Sequence, residues 1–278
     1  MPTLELSLSI YISLVMAPKT QSHPYFITTQ SSNPNYPLFV FLPGMDETGK
    51  ELIYIQTAGL EAAFDVRCFV IPPDDLTSWD EMTEKVINLT KIELEKTPRR
   101  YVYLCGESFG GCLALKVLEK FPQLFTKIIL INSASSFHRV PWLNLGSLLF
   151  PYTPQLFYKI SSFLSLPFLA NLSRIPPTAS LALSKSTSSA PQETANQRLS
   201  LMRDFDIDEN KLSQITQPVL LIGSRNDRLL PSEAEAQYLS NIFPNHQIIA
   251  LPHSGHACLV ERDVNLYQLL LSANFTVA

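Results

Sequence analysis

Short apolar runs alternate with longer amphipathic segments along most of this 278-residue chain, and that alternation constrains the fold more than any other feature. The runs are "PLFVFLP" (37–43), "VRCFVIPP" (66–73), "YVYLCG" (101–106), "KIILIN" (127–132), "PVLLIG" (218–223) and "HQIIALP" (246–252). Each is rich in β-branched and aromatic residues, is apolar on both alternations and ends in turn residues. That pattern predicts strands covered on both faces. The intervening segments 51–64, 78–96, 109–122, 232–243 and 261–273 carry apolar residues at helical spacing. Strands alternating with helices predict a mostly parallel sheet with helices on both faces. "PYFITTQ" (24–30) reads as a leading antiparallel edge strand. With 46% hydrophobic residues, the chain can fill one large α/β core.

The alternation breaks once, between residue 133 and about residue 215, and resumes at Pro218. This stretch is proline-rich, and eight aromatics lie between Phe137 and Phe168. A polar Ser/Thr-rich stretch, "SKSTSSAPQETANQ" (184–197), follows. An insertion that leaves a sheet and returns to it predicts a helical cap over the sheet's carboxyl edge. The expected division is a lead-in with an edge strand over 1–30, a core over 31–136 and 213–278, and a cap over 137–212. Trp142, Phe150, Phe157 and Phe163 are candidate pocket walls; packing within the cap accounts for such aromatics equally well.

Composition excludes several classes. Net charge is −4, and the only compact basic cluster is Lys96, Arg99 and Arg100, so no nucleic-acid partner is expected. Cys68, Cys105, Cys112 and Cys258 lie in apolar or small-residue runs without C-x-x-C spacing, which predicts buried free thiols and no metal site. In the apolar N-terminus Glu5 comes first and no basic residue precedes Lys19, which does not fit a secretory leader. It reads as a lead-in, with Met16 an alternative start and the cytoplasm the expected compartment. Residues 140–158 are uncharged, but Pro141, Pro151 and Pro154 interrupt them, so no membrane span is expected there. Peripheral membrane contact through the cap fits the same composition.

Residues 106–111 read "GESFGG", between the strand "YVYLC" and the helix "CLALKVLEKFP". A serine hydroxyl needs a base, a group that orients the base, and donors for the developing oxyanion. G-x-S-x-G on a sharp strand-to-helix turn exposes such a serine, because the turn tolerates little bulk two residues either side of it. Ser108 is therefore the candidate nucleophile. No G-x-G-x-x-G or Gly-Lys-Ser/Thr pattern supports a nucleotide site. The candidate base is His256, in "LPHSGHACLVE" after the last strand; His253 is the rival, and a metal pair made by the two lacks a third ligand. Asp227, in the turn after "PVLLIG", is the candidate orienting acid, because the end of the preceding strand, "INSASSF", offers no carboxylate. The backbone N–H groups of Phe109 and of Met45, in "FLPGMDETGK", are the candidate oxyanion donors. Seven of the nine glycines (Gly44, Gly49, Gly106, Gly110, Gly111, Gly223 and Gly255) fall in these four loops. Glycine permits backbone angles that other residues avoid, which points to one site shaped by four loops.

The order Ser108, Asp227, His256 is that of the α/β-hydrolase superfamily, which the chain resembles from about Pro37 to Ser272. More narrowly, "FLPGMDETG" and "GESFGGCLAL" resemble the hydrolase half of the plant and cyanobacterial esterase/lipase/thioesterase group that includes the phytyl ester synthases. Glu47 stands where that group's loop carries a glycine, and the acyltransferase domain fused to those synthases has no counterpart in these residues. The resemblance implies hydrolysis of acyl esters or thioesters, of apolar or lipid type, with no cofactor. It also implies an alternative: acyl transfer to phytol or diacylglycerol, at a thylakoid surface in a phototroph. A non-catalytic ligand-binding protein on the same fold is the reading from another class.

Overall fold

The computed structural model describes residues 23–29, 31–45, 50–155, 158 and 166–276; the lead-in with Met16 lies outside them. The apolar runs form β2 (Leu38–Leu42), β3 (Asp65–Val70), β4 (Val102–Glu107), β5 (Lys127–Ile131), β6 (Val219–Ser224) and β7 (His246–Leu251), preceded by β1 (Tyr25–Thr28). Together they make one seven-stranded sheet in the order β1-β3-β2-β4-β5-β6-β7. β1 runs antiparallel to β3, with Tyr25 opposite Val70, and the other pairs are parallel.

Among the described residues the helices of seven residues or more are α1 (Lys50–Gln56), α2 (Trp79–Lys96), α3 (Phe109–Lys120), α4 (Pro141–Leu149), α5 (Pro177–Thr187), α6 (Gln192–Arg203), α7 (Ser232–Ser240) and α8 (Leu266–Ser272). The pleat sends alternate strand residues to opposite faces. Leu38, Val40 and Leu42 of β2 enter a core shared with α2, α3 and α7. Phe39 and Phe41 enter a second core closed by Leu266 and Leu270 of α8. The double-sided burial read from the sequence therefore holds for β2, β3, β4 and β6. It fails for β7, which pairs with β6 alone and is largely exposed, Ile248 included. An apolar run does not reveal that its strand ends at a sheet edge.

Two helix boundaries also differ from the periodicity. The segment 51–64 stops being α-helical at Gln56, and Gly59 at φ 85° turns the chain into a short 3-10 turn at Leu60–Ala62. The last helix begins only at Leu266, where the Asn265 side chain accepts from the Gln268 N–H at 3.0 Å.

Two features of this fold position the site. The chain moves from β2 to β3 on one side and from β4 to β5 on the other, so the loops at the carboxyl ends of β2 and β4 diverge. Between β5 and β6 the chain leaves the sheet through α4, α5 and α6. The Trp79 indole N–H donates to the Leu201 carbonyl at 2.9 Å, which holds α6 against the start of α2. Among the described residues no helix is long and apolar enough to cross a membrane. The four cysteines are free and buried, and burial pushes their thiols up.

Candidate active site

Ser108 sits between β4 and α3 at φ 53°, ψ −114°, a conformation that residues with a Cβ rarely adopt. Neighbouring strands hold it there. Its N–H donates to the Ile131 carbonyl at 2.9 Å, and its carbonyl accepts from Gly111 at 2.9 Å and Ala134 at 3.0 Å. The flanking glycines serve a steric purpose. A Cβ on Gly106 would lie 2.3 Å from the Gly110 carbonyl oxygen, and one on Gly110 would lie 2.0 Å from the Leu42 carbonyl oxygen. The lack of room expected two residues either side of the serine is what the packing shows, whereas the broader expectation that the glycines supply unusual backbone angles is corrected. Among the described glycines only Gly59 has positive φ, and at the elbow the left-handed residue is the serine itself.

The structure brings the three side chains of the sequence reading together. Ser108 Oγ lies 2.7 Å from His256 Nε2, and His256 Nδ1 lies 2.6 Å from Asp227 Oδ2. Leu229 and Leu230 donate backbone N–H bonds to Asp227 Oδ1 at 2.8 and 3.0 Å, and the Ser232 hydroxyl donates to Oδ2. Burial pushes the Asp227 carboxyl up, but the charge and hydrogen bond of His256, with Ser232 and the Leu230 N–H, outweigh it and hold the group below its usual range. An ionised carboxylate only accepts, so His256 Nδ1 carries a proton in both charge states of the ring, and in the neutral ring Nε2 presents its lone pair to the serine hydroxyl. His256 is buried and Ser108 half-buried, whereas His253 is exposed.

Gly44 and Met45, after β2, line the same cavity as Ser108 and His256. The Met45 carbonyl accepts from buried Arg198 of α6 at 2.7 Å, and Arg198 also donates to the Pro72 carbonyl at 2.8 Å. Phe109 opens α3, where the backbone N–H has no intrahelical acceptor. Its ring stacks on Trp79 at 4.5 Å, which fixes that first turn.

The cavity measures about 400 Å³. Trp142 and Phe150 line it as expected; Phe157 and Phe163 lie outside the described residues. Leu183 of α5 and Leu199 and Met202 of α6 complete its walls and were not read from the sequence, because small and polar residues mask the helical period of 184–197. The same α4 that lines the cavity turns Leu145, Leu148 and Leu149 outward, all exposed.

A family model described as the alpha/beta hydrolase fold matches residues 71–263. The chain belongs to the α/β-hydrolase family. It is 30% identical over 256 residues to phytyl ester synthase 1, chloroplastic, of Arabidopsis thaliana, covering 84% of this chain and 36% of the synthase. It thus spans about a third of that relative's length. Over 194 residues it is 29% identical to the pimeloyl-[acyl-carrier protein] methyl ester esterase of Nitrosomonas europaea, covering 66% of this chain and 71% of the esterase. The fold also matches an esterase from Exiguobacterium antarcticum with a TM-score of 0.72 at 17% identity, over 91% of this chain and 96% of that one.

In this α/β-hydrolase the depressed Asp227 has a measurable consequence. An unfolded aspartate titrates near about 3.9, above the folded group. The ionised carboxylate therefore stabilises the fold fully above that pH, and its contribution is lost as the pH falls through the lower folded value. Between about pH 6 and about pH 3, urea-unfolding midpoints should fall more steeply for wild type than for Asp227→Asn. Equal slopes would show that Asp227 gains no stabilisation from its folded partners.

Proposed function

We propose that this chain is a serine hydrolase that cleaves acyl esters or thioesters of apolar substrates through an acyl-enzyme. The observation that carries the reading is the hydrogen-bonded line from Ser108 to His256 to Asp227, opening into an apolar cavity. Ser108 Oγ attacks the acyl carbon while its proton moves to His256 Nε2. The oxyanion accepts from the Phe109 and Met45 N–H groups. His256 then returns its proton to the leaving alkoxide or thiolate, and the acyl group stays on Ser108. In the second half, His256 takes a proton from water, whose oxygen attacks the acyl carbon; the bond from the acyl carbon to Ser108 Oγ then breaks, His256 returns the proton to Oγ, and the acid leaves. Asp227 stays ionised throughout and stabilises the imidazolium.

A second reading, transfer of the acyl group to an alcohol such as phytol, is favoured by the similarity to phytyl ester synthase 1. The same acyl-enzyme serves both; an alcohol takes the place of water. The whole relative's activity belongs to a chain nearly three times as long as the region matched.

The deciding experiment is labelling with a fluorophosphonate. Wild type should label at a single site and Ser108→Ala should not; an unlabelled wild type ends the hydrolase reading. Incubation of an acyl ester with and without phytol, followed by analysis of the products, separates hydrolysis from transfer.

Chain-length selection provides a further test. A Cβ on Gly146 would meet nothing within 4 Å, and Gly146 lines the cavity. Gly146→Phe should place its ring in the space an acyl chain would use. The variant should lose about 10–100-fold in kcat/KM on long p-nitrophenyl esters and keep its activity on the acetate ester. Unchanged chain-length preference would remove this cavity from the acyl path.

A further inference from the structure

Ser108 and Asp227 hang from strands paired on both sides, but His256 does not. It follows β7, the exposed edge strand, in a loop without regular structure. Beside the Asn226 N–H that donates to the Ser254 carbonyl at 3.2 Å, three shorter contacts grip that loop. Gly255 N–H donates to the Glu261 carboxylate at 2.8 Å, and Ala257 N–H donates to the Leu169 carbonyl at 2.7 Å. The third reaches His256 itself: the Asn132 side-chain amide donates to the His256 carbonyl at 2.6 Å.

Asn132 follows β5, two strands away from β7, and is 1% exposed. Its own N–H donates to the Ile222 carbonyl at 2.9 Å. Its Oδ1 accepts from the Ser224 N–H at 2.8 Å, and its Nδ2 also donates to Ser224 Oγ at 2.9 Å. A longer contact of 3.4 Å reaches the Gly255 carbonyl. Ser224 ends β6, and the turn it starts carries Asp227. One buried side chain thus ties the strand bearing the carboxylate to the backbone of the imidazole. Few residue types could do this. The position requires one acceptor and two donors on a short side chain, together with a left-handed backbone at φ 44°. Asparagine is the residue other than glycine that tolerates that backbone best.

We infer that Asn132 is a positioning residue that sets the imidazole of His256 between Ser108 and Asp227. The inference rests on the serine-hydrolase reading above. Asn132 does not line the cavity, so its effect belongs in kcat and not in substrate binding.

Two variants separate the amide from the backbone. Asn132→Gly keeps the left-handed turn and removes the amide. Asn132→Asp keeps the shape and the acceptor for Ser224 but removes the donor to His256. Both should lower kcat and the fluorophosphonate labelling rate about 10–100-fold with KM nearly unchanged, as small misplacements of catalytic groups do. Rates are taken per labelled site, with melting temperatures measured in parallel. A residue that only stabilised the fold would lower the labelled fraction and the melting temperature and leave the rate per site untouched. Wild-type rates per site in either variant overturn the inference. Failure of Asn132→Asp to fold also overturns it, because the amide would then be a requirement of the fold. These results stand apart from the hydrolase reading itself, which fails only if wild type does not label or Ser108→Ala labels equally.

Discussion

Ser108→Ala is expected to lower kcat on an acyl ester by roughly 10⁴–10⁶-fold, and His256→Ala by a similar factor. Their combination should fall little further. Oγ and Nε2 lie 2.7 Å apart and act as one unit in the proposed mechanism, where a hydroxyl without its base and a base without its hydroxyl are equally inert. Asp227→Asn should cost about 10⁴-fold, because an amide facing Nδ1 can favour the wrong imidazole tautomer. KM should change little in all three, since the apolar walls of the cavity remain. Active-site-titrated rates from single-turnover experiments provide the measurement. A Ser108→Ala protein retaining more than a few per cent of wild-type kcat would remove this serine from the chemistry, whatever the fold.

The second large effect concerns the fold. Gly110→Ala should destabilise the protein by about 4 kcal/mol or more, a sizeable part of the roughly 5–15 kcal/mol that holds a typical domain together. The added Cβ would lie 2.0 Å from Leu42 O, 2.5 Å from Leu42 C and 2.6 Å from Pro43 O. All three atoms are backbone, so no side chain can rotate away. Relief requires α3 to move off β2, and nine residues of α3 are buried against the sheet and the helices beside it. The same substitution at Gly146 is the contrast. That Cβ meets nothing, and alanine replaces glycine inside a helix, so Gly146→Ala should be neutral or stabilising by up to about 1 kcal/mol. Urea-unfolding midpoints of the two variants check both statements. A Gly110→Ala midpoint close to wild type would mean that the elbow relaxes without moving the helix.

Much of this was legible in the chain because it is local. β4, the G-x-S-x-G turn and α3 occupy one unbroken segment, so strand, elbow and helix could be read side by side. Asp227 and His256 were found because each follows an apolar run, and in a parallel sheet consecutive run ends lie on one edge. The break in the alternation between β5 and β6 was legible but the helices within it were not: α5 and α6 carry many serine, threonine, alanine and glutamine residues, whose pattern has little helical contrast. Leu183, Leu199 and Met202 consequently went unnoticed as cavity walls.

The residues around the three proposed catalytic groups were illegible for another reason. Asn132 meets the His256 carbonyl 124 positions away, and Arg198 meets the Met45 carbonyl 153 positions away. Both contacts end on main-chain carbonyls, which every residue carries, so no side-chain pattern at the far end marks the partner. The glycines were legible as a cluster, and so was the need for space at Gly106 and Gly110; only packed backbones show which atoms crowd them and that Ser108 itself takes the positive φ. The chain by itself determined the sheet and the edge of it on which Ser108, Asp227 and His256 meet, because these follow from local periodicity and turn chemistry. The lateral order of the strands, the exposure of β7, the cavity walls and the clamps on His256 and Met45 were decided only by tertiary structure, where distant segments compete for the same space and the same backbone hydrogen bonds.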